Sequence, residues 1–312
     1  MSAVHLRQMT IDDPFTTREA LARGMTPAQL RSGRWRAPYA GVRLPRTEVG
    51  IAADFAALLE VVRTPAVISG ASAALLYGWW STPALRSAAT EITVPPDVVV
   101  CRAGVRARRS ELPASAVRYR GGIPLTSPAR TLVDLAAELS LVDLVVLIDA
   151  ALHMRHCTKD QLDLAASAHG VRGVRKLRRG LLYAECLSES PMETLLRLMF
   201  VLPGLPRPIA QAEFFDDSGL FVARVDLKPP EARAAFEYDG AHHRTASQHA
   251  KDVTRWRALR SVGVDVFPYT AGDLFGRPHE IIADYQRVLG LHDPRAAERW
   301  LREFHRSSFY RP

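Results

Sequence analysis

The sequence predicts a multidomain α/β chain: an N-terminal winged helix-turn-helix, a mixed α/β middle domain and a C-terminal α/β core. Helix-start signals alternate with short strand-like runs along all 312 residues, the pattern expected when helices and sheets share a core. That length is enough for two or three domains, each burying a core of its own. The composition, 47% hydrophobic and 24% charged, is that of an ordinary folded chain.

Several classes are set aside early. The most apolar run, "LVDLVVLIDAAL", is too short for a bilayer and carries two aspartates, so it is expected to be a core helix. The first residues, "MSAVHLRQMTIDD", lack the apolar stretch of a secretory signal. Cys101, Cys157 and Cys186 are odd in number and far apart, which fits a reducing cytoplasm and not a disulfide framework or a cysteine zinc site. The formal charge of +8 comes mostly from arginine. It favours a polyanionic partner, DNA first among them; codon-driven arginine enrichment is the alternative source.

The first domain is expected over residues 1–48. In "FTTREALARGMTPAQLRSGRWRAPYAGVRLP", Thr16 precedes Glu19 by three and Thr26 precedes Gln29 by three, giving two capping boxes. Pro27 stands at a first helical position, where its missing N–H costs nothing. Two short helices joined near Gly24 and followed by the hairpin "RWRAPYAGVRLP" make a helix-turn-helix with a basic wing. Such modules place the second helix in the major groove, so Gln29, Arg31, Arg34 and Arg36 are the DNA-contact candidates. A small helical domain that binds protein is the competing reading.

The middle domain is expected over residues 49–185. "IAADFAALLEVV", "SGASAALLYGWW" and "ARTLVDLAAEL" have helical periodicity, while "EITVPPDVVV" and "GVRARRSEL" read as strands. The basic runs at Arg106, Arg108 and Arg109, and in "VRGVRKLRRG", either track a phosphate backbone or form solvated faces.

The third domain is expected over 186–290, with 291–312 as a C-terminal tail. "SESPMETLLRLMF" reads as a helix, "FVARVDLKPP" and "ARAAFEYDG" as a hairpin, then a helix, the strand "VDVFPYT" and the helix "PHEIIADYQRVL". A tight turn at "KPPEAR" brings Asp226 beside Glu237 and Asp239, with His242 and His243 just beyond. Hard divalent cations take oxygen ligands, commonly one or two carboxylates plus a substrate phosphate, so Asp226 and Glu237 are the metal-ligand candidates. An imidazole titrating near neutrality suits proton transfer, the role open to His242 or His243. Structural alternatives stand beside each residue: a capping box from Ser190 to Glu193, a strand-ending turn at Asp239-Gly240, and a surface ion pair between Asp252 and Arg255.

The segments "SPMETLLR", "ARVDL", "FEYDGAHH" and "KDVTRWRALRSVGVDVFPYT" resemble, in order and spacing, the Vsr-like (very-short-patch-repair-like) endonucleases of the PD-(D/E)xK superfamily. That resemblance implies a restriction-endonuclease-like core, a Mg²⁺ or Mn²⁺ cofactor, metal-binding acids at Asp226 and Glu237, a helix acid at Glu193 and a histidine after the Asp-Gly turn. It places Arg255 on the helix that follows. Asp239 stands where the superfamily usually has lysine; it supplies no positive charge. The first two segments are similar to AbiEi-like antitoxins of type IV toxin–antitoxin systems, through "FTTREALARGMTPAQLRSGRWRAPYAGVRLP", "ISGASAALLYGWW" and "LTSPARTLVDLA". That likeness implies transcriptional repression, with a cognate toxin or a second copy of the chain as partner.

Three functions follow from these readings. The first is a metal-dependent DNA endonuclease, in which Glu193, Asp226, Glu237, Asp239 and a histidine act and the winged helix holds DNA. The second is a DNA-binding regulator or antitoxin whose nuclease-like domain is a scaffold. The third is RNA processing, because phosphodiester chemistry does not name the sugar.

Overall fold

The computed structural model describes residues 14–240 and 246–310, and the side chains of all of these except 87 and 246–252. By contact the chain forms two units, Met1–Gly78 with Ala88–Ser127, and Trp79–Ser87 with Pro128–Pro312. The residues expected as three domains and a tail, with boundaries after 48, 185 and 290, are grouped here by contact into these two units.

The first unit begins with β1 (Phe15–Thr16), α1 (Thr17–Ala22), α2 (Pro27–Leu30), β2 (Trp35–Arg36) and β3 (Val42–Pro45). The strands form an antiparallel sheet of order β1-β3-β2. Both expected capping boxes form: Thr16 Oγ1 accepts from Glu19 N and Thr26 Oγ1 from Gln29 N, each with the reciprocal bond. Phe15 meets the edge of Trp35 at 4.9 Å and, with Ala20 and Leu30, closes a small core.

The same unit continues through α3 (Ile51–Val62), β4 (Val67–Ile68), α4 (Gly70–Tyr77), β5 (Thr90–Val94), β6 (Val105–Arg109), β7 (Val117–Arg120) and β8 (Ile123–Thr126). These five strands make a mixed sheet of order β6-β5-β4-β8-β7. Gly70 opens α4 at φ +53°, and a Cβ there would lie 1.5 Å from Glu91 Oε2. Only glycine fits, because Glu91 Oε2 accepts the Ala71 N–H at 3.1 Å over the start of the helix.

The second unit holds α5 (Pro83–Ser87) and a helical layer, α6 (Pro128–Ala136), α7 (Leu141–His153), α8 (Lys159–Ala166) and α9 (Val174–Leu181). As expected, "LVDLVVLIDAAL" is a core helix, with Leu141 to Ala151 buried throughout. There follow α10 (Pro191–Val201), β9 (Ile209–Phe215), β10 (Phe221–Lys228), β11 (Ala234–Tyr238), α11 (Ala246–Ser261), β12 (Asp265–Tyr269), α12 (Ala271–Gly276), α13 (Pro278–Val288) and α14 (Ala296–Phe304). The sheet order is β12-β11-β10-β9: two antiparallel steps, then a parallel step across α11. Helix, hairpin, helix, strand and helix come in the expected order, with the edge strand β9 and the short helix α12 added among them. The residues read as a tail contain α14, whose Trp300 and Phe304 are 1% and 3% exposed and belong to the core.

Each face of this sheet buries its own cluster. Leu227, Phe236 and Ala210 pack with α10, α12, α13 and α14, where Phe200 stacks on Tyr285 at 3.8 Å. Ala212, Phe214, Val225 and Ala235 pack with Leu259 of α11. Residues two apart on a regular strand share a face, yet Ala210 and Ala212 serve different clusters, as do Val225 and Leu227. The changeover falls at Gln211 and Asp226, between the paired positions Val225↔Ala212 and Leu227↔Ala210. Gln211 has φ +50°, a left-handed conformation that a side chain makes costly.

Candidate functional site

The kink brings three elements together. Glu193 is the third residue of α10; its N–H donates to the capping Ser190 Oγ at 3.2 Å. Its carboxylate does not close the expected box on Ser190. Glu193 Oε2 accepts the Glu189 N–H at 2.8 Å and Gln211 Nε2 at 3.0 Å. The left-handed turn at Gln211 thus sits where its amide reaches the helix acid. Asp226 Oδ2 accepts the Tyr238 N–H from β11 at 2.8 Å.

These two acids crowd each other. Burial pushes Asp226 up to about 7, and the Glu193 charge adds to the rise. Glu193 is raised too, again chiefly by burial. A buried carboxylate beside a like charge resists ionisation, and such crowding marks functional sites more often than structural ones. Glu193 and Asp226 supply hard oxygen donors of the type magnesium and manganese use.

Glu237 takes a different place from the expected one. The pairing Leu227↔Phe236 puts it opposite Asp226, but Glu237 is 2% exposed. Its Oε2 accepts from Arg255 at 3.0 Å and from the Trp256 indole at 2.5 Å. It pins α11 to the sheet, and its charge is met by a guanidinium. One Glu237 oxygen is thus taken up by Arg255 and Trp256, while the acid whose charge acts most on Asp226 is Glu193. Among the described residues, no group of three or more His, Cys, Asp or Glu is placed to hold a metal. Asp239 directly follows β11, its N–H donating to Tyr269 O at 2.7 Å. His242 and His243 lie outside the described residues, as does the Asp252 side chain.

The DNA-contact candidates also divide. Arg31 and Arg34 are exposed, with the Arg34 guanidinium 5.1 Å from the Trp35 ring centroid. Gln29 is exposed, but its Oε1 accepts the Thr26 N–H at 2.7 Å within the capping box. Arg36 is held by an ion pair to Asp54 and by the carbonyl of Glu48. It fastens the wing to α3 and is not free for phosphate. Arg255 is committed to Glu237. The basic run on α9 is largely structural as well: Lys176 donates to Leu139 O, Arg178 to Ala166 O and Arg179 pairs with Glu303. Cations at helix carbonyls complete ends that lack intrahelical partners.

Gln211 is the site residue that the sequence did not disclose. Its signal is a backbone angle, and glutamine in a strand carries no mark of it.

Comparison with known proteins bears on the middle of the chain. A family model described as the AbiEi antitoxin C-terminal domain matches residues 66–183, ending before the acidic site. Two relatives, the uncharacterized proteins MT2308 (strain CDC 1551 / Oshkosh) and Rv2248 (strain ATCC 25618 / H37Rv) of Mycobacterium tuberculosis, are each 32% identical over 166 residues. The match covers 53% of this chain and 61% of each relative. No solved structure matches the chain. Among the described residues no helix is long and apolar enough to cross a membrane. Residues 66–183 of this mixed α/β chain are thus similar to the C-terminal domain of AbiEi antitoxins.

Proposed function

We propose that the chain is a DNA-binding regulator of the antitoxin type, with a cognate toxin as protein partner. The observation that carries this reading is the family match over residues 66–183. It is supported by the helix-turn-helix and hairpin of residues 15–45, whose exposed Arg31 and Arg34 follow the second helix. Phosphate contacts from such arginines release counterions, so binding falls steeply with salt. The test is retardation of duplex DNA from upstream of the chain's own gene, across a salt series. Wild type retards it, and Arg31→Ala with Arg34→Ala weakens binding and lowers the salt slope by about one per lost contact. No retardation at low salt refutes the DNA-binding part, and failure to neutralise the neighbouring gene's product refutes the antitoxin part.

A second reading, metal-dependent phosphodiester hydrolysis, is favoured by one observation: Glu193 and Asp226 are half-buried carboxylates, each raised by desolvation, with the Glu193 charge adding to the rise of Asp226. Mg²⁺ or Mn²⁺ held by them would polarise a phosphoryl oxygen and lower the pKa of a bound water. Glu193 and Asp226 would be its ligands, and Gln211 would orient Glu193. DNA or RNA cleavage that requires the ion and is lost in Asp226→Asn supports it; no cleavage of either polymer with either ion refutes it.

A further inference from the structure

The five-stranded sheet of the first unit leaves part of one face open. Cross-strand pairing sets Val67 beside Thr93 and Tyr119 beside Pro124, and directly opposed residues share a face. These four side chains floor a cavity of about 860 Å³, within the size range of small-molecule sites. Strands β5 and β6 run parallel, so the segments leaving them rise from the same end and wall the cavity with Pro95, Pro96 and Leu112. Ligands of α/β sheets gather at such carboxyl ends.

Two polar features give the cavity a chemistry. Thr93 is 1% exposed, and its Oγ1 has no hydrogen-bond partner among the described residues. A buried hydroxyl left in that state is costly, and a bound polar group relieves it. Asp97 and Glu111 also line the cavity. Neither side chain enters an ion pair or hydrogen bond among the described residues, in a chain with 41 Lys and Arg. Two uncompensated carboxylates over an apolar floor repel nucleic acid and attract a cation.

We propose that this cavity binds a small organic cation: an apolar body seated on Tyr119, Pro124 and Val67, with an ammonium or guanidinium head at Asp97 and Glu111. The site is independent of the DNA-binding reading.

The probes are 4-phenylbutylamine and its neutral counterpart 4-phenyl-1-butanol, titrated calorimetrically into the full chain at low salt. The amine should bind at least about tenfold more tightly, a gap of roughly 1.4 kcal/mol. Asp97→Asn with Glu111→Gln should remove that preference while the alcohol still binds, and Tyr119→Ala should weaken both. All three residues are exposed, so the variants leave the core untouched. Failure of both probes to bind, equal binding of the two, or an amine preference that survives the double variant each overturns the proposal.

Discussion

Helix α10 presents opposite electrostatics on two faces. On one, Arg197 and Thr194 meet Asp149 of α7: Asp149 Oδ2 accepts from Arg197 at 2.7 Å and from Thr194 at 2.8 Å, while Oδ1 accepts the Glu185 N–H. Both charged side chains are fully buried, and each is met by the other. On the other face, the Glu193 charge acts on Asp226, acid against acid, with the neutral Gln211 amide donating to Glu193. The two faces also differ in burial: Arg197, Thr194 and Asp149 are fully buried, whereas Glu193 and Asp226 are half-buried. Where only packing is at stake, the charge is compensated. At the strand kink it is not, and a strained backbone is kept in place besides. Such uncompensated strain is what functional sites retain at the expense of stability.

The comparison can be broken by experiment, starting on the compensated face. Arg197→Met leaves Asp149 buried without its cation, which should cost about 3–5 kcal/mol and show as a large drop in thermal midpoint. Replacing Asp149 by Leu as well should recover much of that loss. A drop near zero in the single variant would mean that the two faces do not differ in compensation. On the uncompensated face the sign reverses. Asp226 has a folded pKa of about 7 against roughly 3.9 in the unfolded chain. The folded state therefore holds its proton more tightly, and ionisation costs stability. That cost is absent below about pH 4, grows between about 4 and 7, and is complete above. Asp226→Asn should thus be more stable than wild type at pH 8, by on the order of 2 kcal/mol after allowance for solvent, with the gap closing toward pH 4. Denaturation midpoints across that range check it. The smallest effect is expected from Glu193→Gln. Because burial outweighs the Glu193 charge as the cause of the Asp226 shift, the substitution should return Asp226 less than half-way to an ordinary aspartate. Carboxyl resonances followed through a pH titration would show this.

Much of the fold was legible, because it is written in local chemistry. Capping at Thr16 and Thr26 and the order of elements after 188 follow from hydroxyls, prolines and periodicity. Strand β9 was missed. Its alternation is carried by Ala210, Ala212 and Phe214 against Gln211 and Glu213, and alanine makes a faint apolar signal. Helix α14 is faint in the sequence because its apolar residues are few, though Trp300 and Phe304 sit one turn apart and are buried. Within the acidic site, the side-chain partners of Glu193 and Glu237 are what the sequence does not carry. Register alone places Asp226 opposite Glu237. What engages Glu237 is the reach of Arg255 and Trp256, 18 and 19 residues further along the chain, and no spacing rule encodes it.

Strand β9 is an edge, since β10 is its one neighbour in the sheet order. An uninterrupted seven-residue edge with Ile209 and Phe215 exposed is a template on which another chain's strand can add. The left-handed Gln211 stands at its third residue and turns the backbone out of line, so only short stretches on either side remain flat enough to pair. One backbone angle that aims an amide at Glu193 thereby also guards the molecule against strand-to-strand aggregation.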